Sequence, residues 1–170
     1  MSGTRYTVRV TKDELVFSAG HFITYDGSRC ETLHGHNYRA SIRLAGELDV
    51  NYYIYNFVTI KRMMKQICDE LDHRMLLPEQ NPLIVLEAEG PNIVAHYKDR
   101  HYSFPRSDVV LLPIPNTTAE MLAQHLCARA RTWLTEAGGA NHLEAIEIEV
   151  EESPGQSAIY RETLGQSSAA

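Results

Sequence analysis

Three imidazoles, His21 and the pair His34 and His36 around Gly35, are the side chains of this sequence best suited to metal chemistry. In an extended segment residues two apart point to the same face. His34 and His36 therefore converge, and His21 reaches the same point from a neighbouring strand. Three neutral nitrogens with an open fourth position are what a catalytic zinc requires, because water or substrate must bind there. Cys30, four residues before His34, is close enough to line the site as a base or nucleophile rather than as a ligand. Asp72-His73 sets a carboxylate beside an imidazole, an arrangement in which the acid orients and charges the base. Glu152 falls on the apolar parity of Ile146, Ile148 and Val150, where burying an unpaired carboxylate is expensive. Glu151 takes that place if the register slips by one.

The elements that position these groups follow from periodicity. Residues 4–18 alternate through Tyr6, Val8, Val10, Leu15 and Phe17, predicting a long strand, bulged near Lys12-Asp13, that delivers His21 at its end. Asp26-Gly27-Ser28 is a turn signal in the loop that returns Cys30 toward the metal. Tyr38, Ala40, Ile42 and Leu44 continue the parity of His34 and His36, so the metal face runs into a buried face and the two strands pair antiparallel. Phe57, Ile60, Met64, Ile67 and Leu71 recur at helical spacing behind an Asn56 N-cap. Met63, Met64, Cys68 and, in the second helix, Cys127 read as core. Leu83–Leu86, Ile93–Tyr97, Tyr102–Phe104 and Val109–Leu112 predict a hairpin or small sheet, with His96 and His101 on its surface. Thr117 to Glu120 has capping-box spacing, and Leu122, Leu126, Ala130 and Trp133 form a stripe that Gly138-Gly139 ends. Residues 164–170 read as a disordered tail, leaving 1–163 as one domain.

Composition narrows the classes. Hydrophobic content of 44% and charged content of 22% are those of a soluble globular protein. No apolar run is long enough to span a membrane, and the N-terminus lacks a signal-peptide pattern. Three irregularly spaced cysteines give no disulfide framework, so a reducing cytoplasm is expected. A net charge of −6 without a basic, aromatic-interleaved stripe argues against nucleic-acid binding.

Taken together, Phe17-Ser18-Ala19-Gly20-His21 and Cys30-Glu31-Thr32-Leu33-His34-Gly35-His36-Asn37-Tyr38 resemble the 6-pyruvoyl-tetrahydropterin synthase family, which includes the 6-carboxy-tetrahydropterin synthases of the queuosine pathway. The likeness runs over residues 6–77 and 116–161. It implies an α+β tunnelling fold, β-β-α-α-β-β, with an antiparallel sheet and two helices on one face. Family sheets close into an oligomeric barrel of trimers stacked as a hexamer. Exposed sheet edges favour assembly on physical grounds as well. Residues 78–112 stand out as a β-rich insertion, since shorter family members join the helices by a briefer loop.

The resemblance also implies roles. Zinc sits on His21, His34 and His36, and Cys30 acts with Asp72 and His73. Glu152, opening a stretch like the family's E-T-P-x-x-x-A-x-Y ending, grips the pterin, and Thr118 touches its ring. Pockets lie between subunits, and Glu152 of one chain is expected to meet His21 of another. Arg29, Arg39 and Arg74 are candidates for phosphate contact. The C-x-x-x-H-G-H spacing is that of the carboxy-forming enzymes, whereas Asn56-Phe57 stands where many bacterial members have Asp-Phe. The expected activity is a zinc-dependent lyase converting 7,8-dihydroneopterin triphosphate to 6-carboxy-5,6,7,8-tetrahydropterin. The alternatives are a pyruvoyl-forming or dihydroneopterin aldolase-like enzyme, a non-catalytic pterin-binding module, and a structural-zinc protein.

Overall fold

The computed structural model describes residues 5–138 and 141–164. Two long strands, β1 (Tyr6–His21) and β4 (His34–Gly46), pair antiparallel and form the spine of a six-stranded sheet. Between them lie the short partners β2 (Thr24–Tyr25) and β3 (Arg29–Cys30). The pairing of β1 with β4 slips between Thr11 and Val16, the bulge expected near Lys12-Asp13. From Phe17 onward the register sets Phe17 opposite Tyr38, Ala19 opposite His36 and His21 opposite His34. Opposed residues of an antiparallel pair share a face, so the three imidazoles prolong the buried row of Tyr38, Ala40, Ile42 and Leu44.

Helix α1 (Phe57–Asp69) begins at Asn56, whose side chain accepts from the Val58 and Thr59 amides. It buries Ile60, Met63, Met64, Ile67 and Cys68, while Phe57, expected on that stripe, is exposed. Helix α2 (Ala119–Glu136) buries Leu122, Ala123, Leu126, Cys127, Ala130 and Leu134, and Trp133 is only partly covered. Its N-cap is Thr118, whose hydroxyl accepts from the Met121 amide at 3.4 Å. The expected Thr117–Glu120 capping box is not formed, because Thr117 is withdrawn into the interior. Gly138 follows the helix with φ near 71°, a left-handed C-terminal conformation natural to glycine; Gly139 lies outside the described residues. Both helices pack on one face of the sheet in a core that includes Phe17, Tyr38, Ile42, Ile146 and Ile148.

The strands β10 (Leu143–Ser153) and β11 (Gln156–Thr163) complete that side of the sheet, β10 lying against β4. On the other side the antiparallel expectation needs correction. Arg74–Pro78 forms strand β5, parallel to β1, and Val109–Leu112 forms a strand parallel to β5 in turn, giving a mixed sheet. Between those two, β6 (Val85–Glu89), β7 (Asn92–Tyr97) and β8 (Arg100–Pro105) make a separate three-stranded antiparallel sheet; the Val109–Leu112 strand is β9. The segment 78–112 is therefore a small sheet, as expected, but its last strand joins the main one. A second core, with Phe22, Met75, Leu77, Ile84, Ile93, Ala95 and Tyr97, seats this small sheet, and Cys30 packs at its margin. Leu164 donates its amide to Glu144 at 2.7 Å and packs on the main core, so no tail begins there. Residues 165–170 lie outside the described residues. Among the described residues no helix is long and apolar enough to cross a membrane.

Candidate active site

The histidine cluster is built by strand register and fixed by backbone carbonyls. Nitrogens of His21, His34 and His36 lie within 4.8 Å of one another. His21 is buried, and its Nδ1 donates to the Thr117 carbonyl at 3.0 Å. A carbonyl only accepts, so Nδ1 carries the proton and Nε2 keeps its lone pair. His34 Nδ1 donates in the same way to the Thr32 carbonyl at 2.8 Å. His36 Nε2 is buried without a hydrogen-bond partner. A buried imidazole nitrogen without a partner is costly, and two Nε2 atoms held by carbonyls on the far side of their rings repeat a pattern typical of metal-ligating histidines. The donor set therefore fits a divalent cation that favours imidazole, zinc among them. Burial, aided by the neighbouring imidazoles and opposed by the Thr117 bond, brings His21 down to about 4, so it is neutral near pH 7.

Gly35 makes the pair possible. A Cβ there would stand 3.0 Å from the Ala19 carbonyl and 3.6 Å from the Gly20 Cα. A side chain there would press on the β1 backbone opposite His34 and His36.

Glu152 lies beside the cluster in the same chain. Its Oε1 is 3.5 Å from His21 Nε2 and 3.4 Å from His36 Nε2, and accepts from the Tyr38 hydroxyl at 3.5 Å. The expectation that Glu152 of one chain meets His21 of another is corrected: β10 runs beside β4 and brings the carboxylate in directly. Glu151 points away, accepting from the Gly155 amide at 3.0 Å, with Arg39 at 3.9 Å. Burial and the Glu152 charge hold the Tyr38 hydroxyl far above its ordinary range, so it stays a donor.

The acid–base candidates stand apart. Asp72 Oδ1 accepts from the Ser18 amide at 2.7 Å and Oδ2 lies 2.9 Å from His73 Nδ1. The Ser18 bond, with help from His73, lowers the Asp72 carboxyl below its ordinary range. His73 has φ near 56°, unusual for a residue with a Cβ, and is held there by its amide bond to the Ser18 carbonyl at 2.7 Å. Its ring is 82% exposed. Among the described residues the Cys30 thiol makes one hydrogen bond, to the carbonyl of its neighbour Glu31 at 3.5 Å. Burial raises it, with Arg100 opposing and Glu31 adding to the rise. Among the described residues no hydrogen bond or ion pair joins Cys30 to Asp72 or His73. A shallow cavity of about 560 Å³ gathers Ser18, His34, His36, His73 and Arg74 along its walls.

The remaining candidates are placed as follows. Thr118 serves as the α2 cap and has no bond to the cluster, whereas its neighbour Thr117 supports His21 through its carbonyl. Sequence offers no signal for a backbone contact of that kind. Arg29 pairs with Asp26 and Arg39 with Asp13, while Arg74 bonds the Ser107 carbonyl at the cavity. Cys68 and Cys127 are buried and pushed up to about 12, inert as expected. Glu31 was assigned no chemistry from sequence, yet its carboxylate lies 3.8 Å from His34 Nε2. Its place directly after Cys30 and three before His34 is the signal that could have found it. Glu87, Glu89 and His96 form a second cluster of possible ligands on the outer small sheet, exposed enough to need no ion.

Comparison with known proteins assigns the chain to a family. The family model of 6-pyruvoyl tetrahydropterin synthase matches residues 9–163, and the chain belongs to that family. A protein of Methanocaldococcus jannaschii, provisionally named 6-carboxy-5,6,7,8-tetrahydropterin synthase, is 37% identical over 88% of this chain and 91% of its own length. The 6-carboxy-5,6,7,8-tetrahydropterin synthase of Bacillus subtilis is 25% identical over 94% of this chain and 89% of its own. The crystal structure of Plasmodium vivax 6-pyruvoyl tetrahydropterin synthase superposes with a TM-score of 0.89 at 28% identity, covering 95% of this chain and 99% of that one. Variants of the Plasmodium vivax protein have also been solved in which a glutamate, described as a catalytic residue, is replaced by alanine or cysteine. The chain is thus a tetrahydropterin synthase by family, a class of lyases acting on small pterins.

Proposed function

We propose that the chain is a zinc-dependent 6-carboxy-5,6,7,8-tetrahydropterin synthase acting on 7,8-dihydroneopterin triphosphate. One observation carries this reading: three imidazoles, two with Nδ1 held by backbone carbonyls so that Nε2 keeps its lone pair and the third with an Nε2 that makes no hydrogen bond, converge beside the Glu152 carboxylate and the Tyr38 hydroxyl, which lies 3.2 Å from His21 Nε2. When bound, zinc supplies Lewis acidity that lowers the pKa of hydroxyls on the substrate side chain. Glu152 accepts two hydrogen bonds from the pterin ring N–H and amino group, which fixes the plane of the ring, and Thr118 borders it. Cys30, as thiolate, takes the proton from the side-chain carbon next to the ring. Asp72 holds His73, which passes protons to and from the site. Triphosphate departs by elimination, and carbon–carbon cleavage, with one water consumed to form the carboxyl group, leaves the 6-carboxy product with acetaldehyde. Arg74, on the cavity wall, is placed to meet a phosphate.

In one chain the Cys30 thiol is raised and no cation of the Asp72-His73 pair reaches it. Arg100 lowers the thiol only partway, and a second cation beside it would favour the thiolate. We therefore read the site as shared: His21, His34, His36, Cys30 and Glu152 come from one subunit, and Asp72 with His73 from another. The tunnelling-fold barrel of trimers stacked as a hexamer, in a reducing cytoplasm, is the assembly this reading entails.

A second reading rests on Glu31. Its carboxylate beside His34 offers an alternative base, and the Plasmodium vivax enzyme, a pyruvoyl-forming synthase by name, has a catalytic glutamate. That favours a pyruvoyl-forming or side-chain-cleaving reaction. Incubating zinc-loaded protein with 7,8-dihydroneopterin triphosphate and identifying the pterin by mass spectrometry decides between them. A 6-carboxy product with acetaldehyde, lost in Cys30→Ala and His34→Ala, supports the first reading. A different pterin, lost in Glu31→Gln and retained in Cys30→Ala, supports the second. Pterin binding without turnover leaves a binding module.

A further inference from the structure

Cys30 sits on a ribbon that is weak by itself. Its strand pairs with β2 through only Thr24–Cys30 and Tyr25–Arg29, and a ribbon so short has little stability of its own. The tip of the β7–β8 hairpin, from the segment 78–112, closes over it. The Tyr97 hydroxyl donates to the Ser28 carbonyl, and Lys98 Nζ reaches the same oxygen at 3.1 Å. Arg100 Nη1 spans two further carbonyls, Cys30 at 3.4 Å and Glu31 at 3.3 Å. Beneath these contacts Cys30 packs at the margin of the second core, where the Phe22 and Tyr102 rings lie 5.1 Å apart. The hairpin thus meets the cysteine loop with three polar side chains and an apolar floor, all drawn from a segment far along the chain.

We infer that this hairpin tip holds the reactive cysteine in place, with Arg100 as the positioning residue that fixes the Cys30 backbone and sets a cation beside it. The inference rests on the reading of Cys30 as the base. Arg100 touches the loop through carbonyls and makes no hydrogen bond to the thiol. The charged groups facing the thiol are Arg100 from β8 and Glu31 from its own loop, one lowering and one raising its pKa. Lys98 is engaged on Ser28, and Arg29 is paired with Asp26 at 3.6 Å.

Zinc-loaded full-length protein carrying Arg100→Ala or Arg100→Lys tests this through two readouts. The pH midpoint for iodoacetamide alkylation of Cys30 is followed by peptide mass spectrometry, and kcat and KM are measured with 7,8-dihydroneopterin triphosphate. For Arg100→Ala the midpoint moves up by roughly half a pH unit, and kcat falls about tenfold with KM within about twofold, because only the base is misplaced. Arg100→Lys keeps the parent midpoint, since the cation remains, and recovers only part of kcat, since the flexible ammonium lacks the planar guanidinium's fixed donor geometry. An Arg100→Ala protein with the parent midpoint and the parent kcat overturns the inference. Cys68 and Cys127 report on folding, because buried thiols stay unlabelled in an intact chain. If they become labelled, Tyr97→Phe replaces the test: it removes one hydroxyl, kcat is expected to fall about threefold, and an unchanged kcat overturns the inference. Normal turnover by Cys30→Ala would instead defeat the reading of Cys30 as base, leaving the alkylation midpoint as the test of the clamp.

Discussion

The histidine cluster and the acid–base set differ in what holds them. His21, His34, His36 and Glu152 lie on three adjacent long strands, and the ring orientations of His21 and His34 are set by carbonyls. Cys30 lies on a two-residue strand, and His73 on a strained turn with its ring in solvent. Metal ligation tolerates little misplacement, so its residues sit on rigid elements. On the proposed reading one half is complete within a chain and the other is finished by a neighbour, which would make the two separable by mutation.

The largest effect is expected from His36→Ala, which removes the one imidazole without a hydrogen-bond anchor. Bound zinc by elemental analysis falls to background and turnover drops by roughly 1,000-fold or more. Retained zinc with normal turnover would dissolve the distinction between the halves.

Acid stability probes the histidine cluster through His21, alongside a burial-lowered His125 on α2 that acts in the same direction. His21 titrates near 4 in the folded chain, below the ordinary 6.5. Above pH 6.5 both folded and unfolded chains hold it neutral, and stability is full. As pH falls from 6.5 toward 4 only the unfolded chain takes up the proton, so folding weakens. Urea melts of metal-free protein should show a loss of about 3 kcal/mol at pH 4 relative to pH 7, most of it absent in His21→Gln.

Asp72→Asn addresses the other half. It removes the charge that orients His73 and is expected to lower kcat about 100-fold while leaving zinc content unchanged. A loss of zinc in this variant would mean that the two halves are mechanically one. The smallest effect is expected from Gly35→Ala. Its added Cβ presses on the Ala19 carbonyl, parting the strands slightly and weakening zinc affinity about tenfold, read by competition with a chelator.

The long strands and the metal triad were legible in the sequence because one face of β1 and β4 is buried and the other is not, so alternation survives and carries the histidines with it. Glu152 was legible by the same parity. Strand β5 was not. Its run Arg74-Met75-Leu76-Leu77-Pro78 is buried on both faces, Leu76 in the main core and Met75 and Leu77 in the second, and two-sided burial erases the period. The cap of α2 was misplaced by one residue because Thr117 and Thr118 offer the same hydroxyl; burial of Thr117 chose between them. The carbonyl of Thr117 behind His21 and the reach of Arg100 to the cysteine loop join residues 96 and 70 positions apart, and no local pattern encodes them.

Whether the halves are joined between subunits is settled by complementation. Cys30→Ala and His73→Ala proteins, each inactive alone, are unfolded together, reassembled with zinc and assayed for the pterin product. If each site takes Cys30 from one chain and His73 from another, random mixing in equal amounts restores about a quarter of the parent activity. A mixture no more active than the separate variants would place both groups in one chain and contradict the account.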